Sequence, residues 1–306
     1  MRFDKLDLNL LVTLDALIEL KSVSSTAEHL NLTQSAVSGA LKRLREYFND
    51  ELLARDGRSM VLTGKAQQLA PAIRAILLQV RSTITNPSEF DPATAVRCFT
   101  LGCSDYVAMI VGHDLALQVQ NEAPGISFKF LPPDISALEM FERGDIDLLI
   151  VAESFARPEH PRRVLFEDDA RAVCWAGNPT IGDRITLDQF LDMGHVCAEF
   201  RGVSHPSVYE KQLAEMGIHR RIEVSVASFA MVPFALVGSR HMGVMHRRHA
   251  ERFARMLPLK VLPLPLALKP VIEIAQWHRH RTSDPGLEWL LSRLERVLHT
   301  MDVHAA

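Results

Sequence analysis

Four cysteines in 306 residues, Cys98, Cys103, Cys174 and Cys197, form no C-x-x-C pair and no regular framework. That excludes a disulfide scaffold or a zinc knuckle, and the four read as reduced core thiols. No apolar run approaches the roughly eighteen residues of a membrane helix, and no apolar leader precedes a cleavage site, so the expected compartment is the cytoplasm. A basic surplus is missing too: the net charge is −3, which by itself speaks against a nucleic-acid binder. There is no Gly-x-Ser-x-Gly elbow to present a hydrolase nucleophile. Gly64-Lys65 closes no phosphate loop, because Gly57 lies too far upstream and Ala66 stands where a magnesium-binding hydroxyl is required. His246/His249 and His278/His280 sit among arginines that would repel a dication, and no acid or thiol completes either set. No cofactor and no metal is expected.

What is present is an ordinary folded composition, 47% hydrophobic and 23% charged, long enough for two or three compact units. Charge is distributed unevenly. Residues 1–65 carry nine basic and nine acidic side chains, yet Thr33 to Arg45 and Arg55 to Arg58 hold five of the cations and only one acid, Asp56. Within Thr33 to Tyr47, Val37, Ala40, Leu41 and Leu44 recur at helical spacing and predict one buried stripe. Ser35, Ser38, Lys42 and Arg45 form a polar row opposite, with Thr33 and Gln34 at its capping end. Short hydroxyls allow close approach to base edges, and cations meet phosphates. Val23 to Leu30 predicts a second short helix, capped by Ser24 or Ser25 and separated from the first by only Asn31 and Leu32. Small Ala27 lies where the two must cross. That arrangement is a helix-turn-helix.

The run from Leu6 to Arg55, LDLNLLVTLDALIELKSVSSTAEHLNLTQSAVSGALKRLREYFNDELLAR, resembles without gaps the winged helix-turn-helix of the LysR-type transcriptional regulators. Its flanks, MRFDKLDLNLLVTLDAL and YFNDELLARDGRSMVLT, are most similar to the branch containing NodD and the NahR-type regulators of aromatic catabolism. Two positions depart from the family pattern: Ser35 stands where Pro often opens the helix, and Gly39 replaces a longer polar residue. Gly144-Asp145-Ile146-Asp147-Leu148 resembles a Gly-x-hydrophobic-Asp-hydrophobic signature of the family's effector domain.

Taken in order, Leu8, Leu11, Leu14 and Leu17/Ile18 give a supporting first helix. LLARDGRSMVLT reads as two strands about Asp56-Gly57, a wing with Arg55 and Arg58 at its tip. Leu69, Ile73, Ile76, Val80 and Ile84 make a coiled-coil-like stripe on a helix from 66 to 85, where Pro71 predicts a kink or a late start. The resemblance makes this a linker that pairs subunits. Beyond a hinge near 86 to 95, strand and helix alternate, which predicts a parallel sheet covered on both faces. By resemblance the fold class is α/β: a winged helix-turn-helix at 1–65, a linker helix and hinge at 66–94, and a two-lobed, periplasmic-binding-protein-like effector domain at 95–306. Lobe I is expected at 95–165 and 268–306, and lobe II at 166–267.

DNA contacts are expected from Thr33, Gln34, Ser35, Ser38, Lys42, Arg43, Arg45, Arg55 and Arg58. Ligands of open sheets bind beyond strand carboxyl ends, which selects Ser104, Asp105, Ala152, Glu153, Phe155, Arg201, Ser204, His205, Ser228 and Phe229 as effector-binding. The resemblance implies a non-enzymatic transcriptional regulator, an activator or a repressor, that works as a homodimer or homotetramer on double-stranded promoter DNA, with RNA polymerase as a further partner and an aromatic effector, phenolic, flavonoid-like or acidic. A rival reading is a ligand-binding or hydrolytic α/β protein, with Ser104, Asp105 and His205 as its reactive set and the helix-turn-helix used for protein contacts.

Overall fold

The structure, a computed structural model, describes residues 7–57, 59–84, 90–200 and 207–305. The chain divides into two compact units, Met1–Pro87 and Ser88–Ala306.

In the first unit α1 (Leu8–Leu20) is capped by Asp7, whose carboxylate accepts the Asn9 N–H. The next helix, α2 (Val23–His29), begins earlier than its expected capping serines suggest: Ser22 is the cap, accepting the Ser25 N–H. Thr33 caps α3 (Gln34–Phe48) by accepting from Ala36. Leu14, Leu17, Val37 and Leu44 are fully buried with Ala27 at the crossing, so the apolar stripe of α3 closes this small core. Antiparallel strands β1 (Leu53–Asp56) and β2 (Ser59–Leu62) form the wing, with Gly57 at φ +60° in the turn. Only a residue without Cβ adopts that φ freely.

The following helix, α4 (Gly64–Ile84), starts well before Pro71 and runs through it, so the expected late start is not seen. Its register also differs from the expected stripe. Ala66, Ala70, Ile73 and Leu77 are buried in the same core as α1, and Arg74 pairs with Asp15 at 3.2 Å. Ile73, assigned from the sequence to a partner helix, is therefore occupied within its own chain. Ile76 stays 43% exposed.

The second unit is built on two five-stranded sheets. The chain enters the first through β3 (Arg97–Cys103), α5 (Asp105–Val119), β4 (Ile126–Leu131), α6 (Ile135–Glu142), β5 (Leu148–Ala152) and β6 (Arg162–Asp168). It then forms the second sheet from β7 (Ala170–Trp175), β8 (Gly194–Ala198), β9 (Arg221–Val226), β10 (Met242–His246) and β11 (Leu259–Leu262). Helices α7 (Leu187–Asp192), α8 (Val208–Glu215), α9 (Val232–Leu236) and α10 (Arg247–Ala254) accompany these strands. The chain returns to the first sheet with β12 (Val271–Gln276) and ends in α11 (Pro285–Ala305). Strand orders are β4-β3-β5-β12-β6 and β11-β7-β10-β8-β9.

Neither sheet is purely parallel, contrary to the expectation. β12 runs antiparallel to both β5 and β6, and β7 antiparallel to β10 and β11. A strand that returns from the other lobe enters from the opposite end, which a βαβ rhythm in sequence does not reveal. β6 keeps residues 166–168 in the first sheet, so the chain crosses between Asp168 and Ala170.

The signature around Gly144 has a structural role. Asp147 accepts the Thr100 N–H at 2.8 Å, Arg97 at 2.8 Å and Arg281 at 2.7 Å, while Arg97 also pairs with Asp284. One buried carboxylate thereby ties the start of β3 to the entry of α11. Cys98 is exposed and the other three cysteines are buried, so the core-thiol expectation fails at that one position.

Candidate functional site

On α3 the structure leaves Thr33, Gln34, Ser35, Ser38, Lys42 and Arg43 exposed while Val37, Ala40, Leu41 and Leu44 are buried. The row is open along its length, and a Cβ at Gly39 would meet nothing within 4 Å. Arg45 is placed differently from its expectation. Its guanidinium donates to the carbonyls of Glu51 at 2.8 Å and Leu53 at 2.9 Å and pairs with the Glu51 carboxylate at 3.1 Å. Arg45 thus braces the base of the wing, because the last turn of α3 passes beside β1. Arg55 is exposed on β1, and Arg58 lies outside the described residues.

The second unit holds a cleft of about 660 Å³ between its two sheets. Four of the expected residues, Ser104, Ala152, Phe155 and Phe229, line it. Three do not. Asp105 instead accepts the N–H groups of Phe229 at 3.3 Å and Ala230 at 2.7 Å, clasping the start of α5 to the turn before α9. Glu153 turns to Arg162 at 3.4 Å, and the Ser228 carbonyl accepts from Met231. Arg201, Ser204 and His205 lie outside the described residues. The walls add Pro132, Leu149, Phe200 and Val208, which present an apolar slot with aromatic rings.

The floor was not foreseen from the sequence. Tyr106, His246 and Glu273 meet there from α5, β10 and β12. The rings of Tyr106 and His246 stack at 4.0 Å and 8°. The Tyr106 hydroxyl donates to Asp168 at 2.5 Å, and Asp168 also receives the Arg248 N–H. Burial, and then the nearby Asp168 carboxylate, holds the Tyr106 phenol well above its usual range. Burial drives the His246 imidazole down to about 3, and it lifts Glu273, with Asp168 adding to the effect, to about 8. At neutral pH the imidazole is therefore uncharged and the Glu273 carboxyl is protonated. A sequence signal for Glu273 did exist: a lone acid inside the apolar strand VIEIAQ is a buried-polar warning. Tyr106 gave no such signal, since Tyr in a helix is commonplace.

Among the described residues, the group of acids and histidine close enough to share a cation is Glu142, Glu159 and His160. Arg157 already pairs with Glu142 at 3.2 Å, so its charge is met without an ion.

Residues 8–67 match the family described as "Bacterial regulatory helix-turn-helix protein, lysR family", and residues 97–298 match "LysR substrate binding domain". The chain belongs to the LysR family. The "Nodulation protein D 2" of Rhizobium tropici is 41% identical over 290 residues, covering 95% of this chain and 92% of that protein. "Nodulation protein D 1" of Mesorhizobium japonicum is 39% identical over the same share of this chain and 92% of its own. Among solved structures, a probable transcriptional regulator, PA0477, from Pseudomonas aeruginosa superposes with a TM-score of 0.64 at 25% identity, over 96% of this chain and 97% of that one. A full-length OxyR variant from the same species gives 0.70 at 16% identity over 96% and 95%, a likeness of fold.

As a LysR-type transcriptional regulator with an effector-binding domain, the chain is not an enzyme. Two members of the imagined hydrolase set have structural duties instead, and His205 lies outside the described residues. Ser104 accepts the Val107 N–H as the cap of α5, and Asp105 is taken by two backbone donors. Among the described residues no helix of this LysR protein is long and apolar enough to cross a membrane.

Proposed function

We propose that this regulator reads promoter DNA with α3 and takes an aromatic effector between the sheets of its second unit. The exposed row Thr33, Gln34, Ser35, Ser38, Lys42 and Arg43 over a fully buried apolar stripe is the observation that carries the DNA reading. Short polar groups toward the N-terminal end reach base edges, and Lys42 and Arg43 neutralise phosphates, with Arg55 reaching the backbone from the wing. Arg45 serves this surface indirectly by holding the wing. Four rings, Tyr106, Phe155, Phe200 and Phe229, line a cavity of the size that small-molecule sites occupy, which supports the aromatic effector. A single module with so few cations binds weakly, so the working form is a homodimer or homotetramer that presents several copies in the cytoplasm. CbnR, solved with its target DNA, shares the fold at a TM-score of 0.51. Activation, with RNA polymerase as the recipient of the signal, follows the resemblance to the NodD branch.

The test is retardation of a duplex selected from a random pool by the full chain. Lys42→Ala should reduce the salt dependence by about one counterion and weaken all duplexes alike, whereas Gln34→Ala should relax base preference. Unchanged retardation by both would remove α3 from the interface.

A further inference from the structure

At the bottom of the cleft two buried polar atoms have no hydrogen-bond partner among the described residues. Glu273 is 5% exposed and lines the cavity, and its Oε2 meets no hydrogen-bond partner. It sits in β12 between Ala152 of β5 and Phe166 of β6, next to a register shift at which Leu165 of β6 is the extra, unpaired residue. Val271, two residues away on the same face of β12, lines the cleft as well. His246 lines the same floor, and its buried Nδ1 also lacks a partner among the described residues.

A buried carboxyl without a partner costs stability. It persists where something else completes it. Among the described residues no cation pairs with Glu273, and Arg247 and Arg248 on α10 lie against Asp168 instead. Asp168 on β6 is acidic, Tyr106 on α5 spends its hydroxyl on Asp168, Tyr209 on α8 donates to the Asp168 carbonyl, and Cys103 on β3 is a buried thiol. Of the other described ionisable groups along the cleft, Asp134 accepts the Ala137 N–H and Arg157 pairs with Glu142. The floor is therefore a polar but uncharged receptor, with a carboxyl that both donates and accepts.

We infer that Glu273 is the specificity-determining residue of the cleft, pairing with a hydroxyl of an uncharged aromatic ligand and disfavouring a carboxylate at that position. This rests on the reading that the cleft is the effector site. A ligand hydroxyl completes the Glu273 Oε2, and a second one reaches the His246 Nδ1. A ligand carboxylate would instead be buried beside two acids, Glu273 and Asp168, with the neighbouring Arg247 already drawn to Asp168.

The test titrates the full chain at pH 7 with 4-phenylphenol and with biphenyl-4-carboxylate, two probes of one shape. Wild type should favour the phenol at least tenfold. Glu273→Gln, which keeps a donor and an acceptor, should retain that preference, and Glu273→Met should cut phenol affinity about tenfold while the carboxylate binds as well as before or better. Thermal melts of both variants establish that they fold. Equal affinity of wild type for the two probes, no binding of the phenol, or an unchanged ratio in Glu273→Met would each overturn the assignment of Glu273. Ala152→Trp, which fills the cleft wall, separates the two readings. If it abolishes binding while Glu273→Met changes nothing, the cleft stands and Glu273 falls. If it leaves binding intact, the cleft itself is wrong.

Discussion

Glu273 also makes the stability of this protein depend on pH in a direction that follows from its burial. Its carboxyl titrates near 8 in the folded chain against an ordinary value of 4.5. A folded-state pKa raised above the unfolded one gives a contribution that is whole below the unfolded value and is lost as pH climbs through the folded one. Between about pH 4.5 and 8 the wild type should therefore lose up to ~1.4 kcal/mol per pH unit relative to Glu273→Gln. Denaturant midpoints of the two proteins across that range check this, and parallel curves would show that the acid ionises freely. His195, His246 and His249, all held below the usual histidine range by burial, set the opposite limb. Each loses its stabilisation as pH falls below about 6.5, toward its lowered folded value. Asp105 belongs to the same scale. Removing a carboxylate that accepts two backbone N–H groups strands both donors, so Asp105→Ala should cost roughly 1 to 3 kcal/mol. It should also loosen the clasp between α5 and the Phe229 turn, read as faster amide exchange at Phe229 and Ala230.

At the level of whole elements, α3 separates two duties along its length. Its first two turns carry exposed polar groups, and its last turn carries Arg45, committed to the wing. Arg45→Ala should therefore destabilise the first unit by about 1 kcal/mol given its partial exposure, read as a lower melting temperature. It should weaken DNA retardation only in proportion to the loss of ordered wing. Lys42→Ala should do the reverse, leaving the melt unchanged and weakening DNA. Equal effects of the two substitutions on both measurements would erase the distinction. The cap is a third handle: Thr33→Ala removes the acceptor of the Ala36 N–H and should cost about 1 kcal/mol of helix stability.

For the molecule as a whole, the question is what covers the outer side of α4. Its inner side is already filled, since Ala66, Ala70, Ile73 and Leu77 belong to the core of the first unit. Ile76 is left exposed and Val80 half-buried. We propose a second copy of α4 as the occupant of this apolar line. Ile76→Glu should lower the sedimentation mass of the full chain at micromolar concentration without shifting the melt of the first unit. A variant that sediments like wild type would place the subunit contact elsewhere.

Periodicity was enough for α1, α3 and the wing, because each apolar stripe there has one small core to face, whereas the cap of α2 and the buried face of α4 were set by how they pack. The βαβ order of the second unit was legible for the same reason, as was the loop placement of Ser104, Phe155 and Phe229 at strand ends. Pairing direction was not. That β12 enters its sheet antiparallel, and that β6 holds on to Asp168, depends on where the chain has travelled in between. The same holds for the floor of the cleft, which joins Tyr106, His246 and Glu273 over more than a hundred and sixty residues of chain. Local sequence dictates which side chains share a face of one element, since that is set by backbone geometry. Which faces then meet, and which buried acid is left without a partner, is decided only when distant elements pack and water is excluded between them.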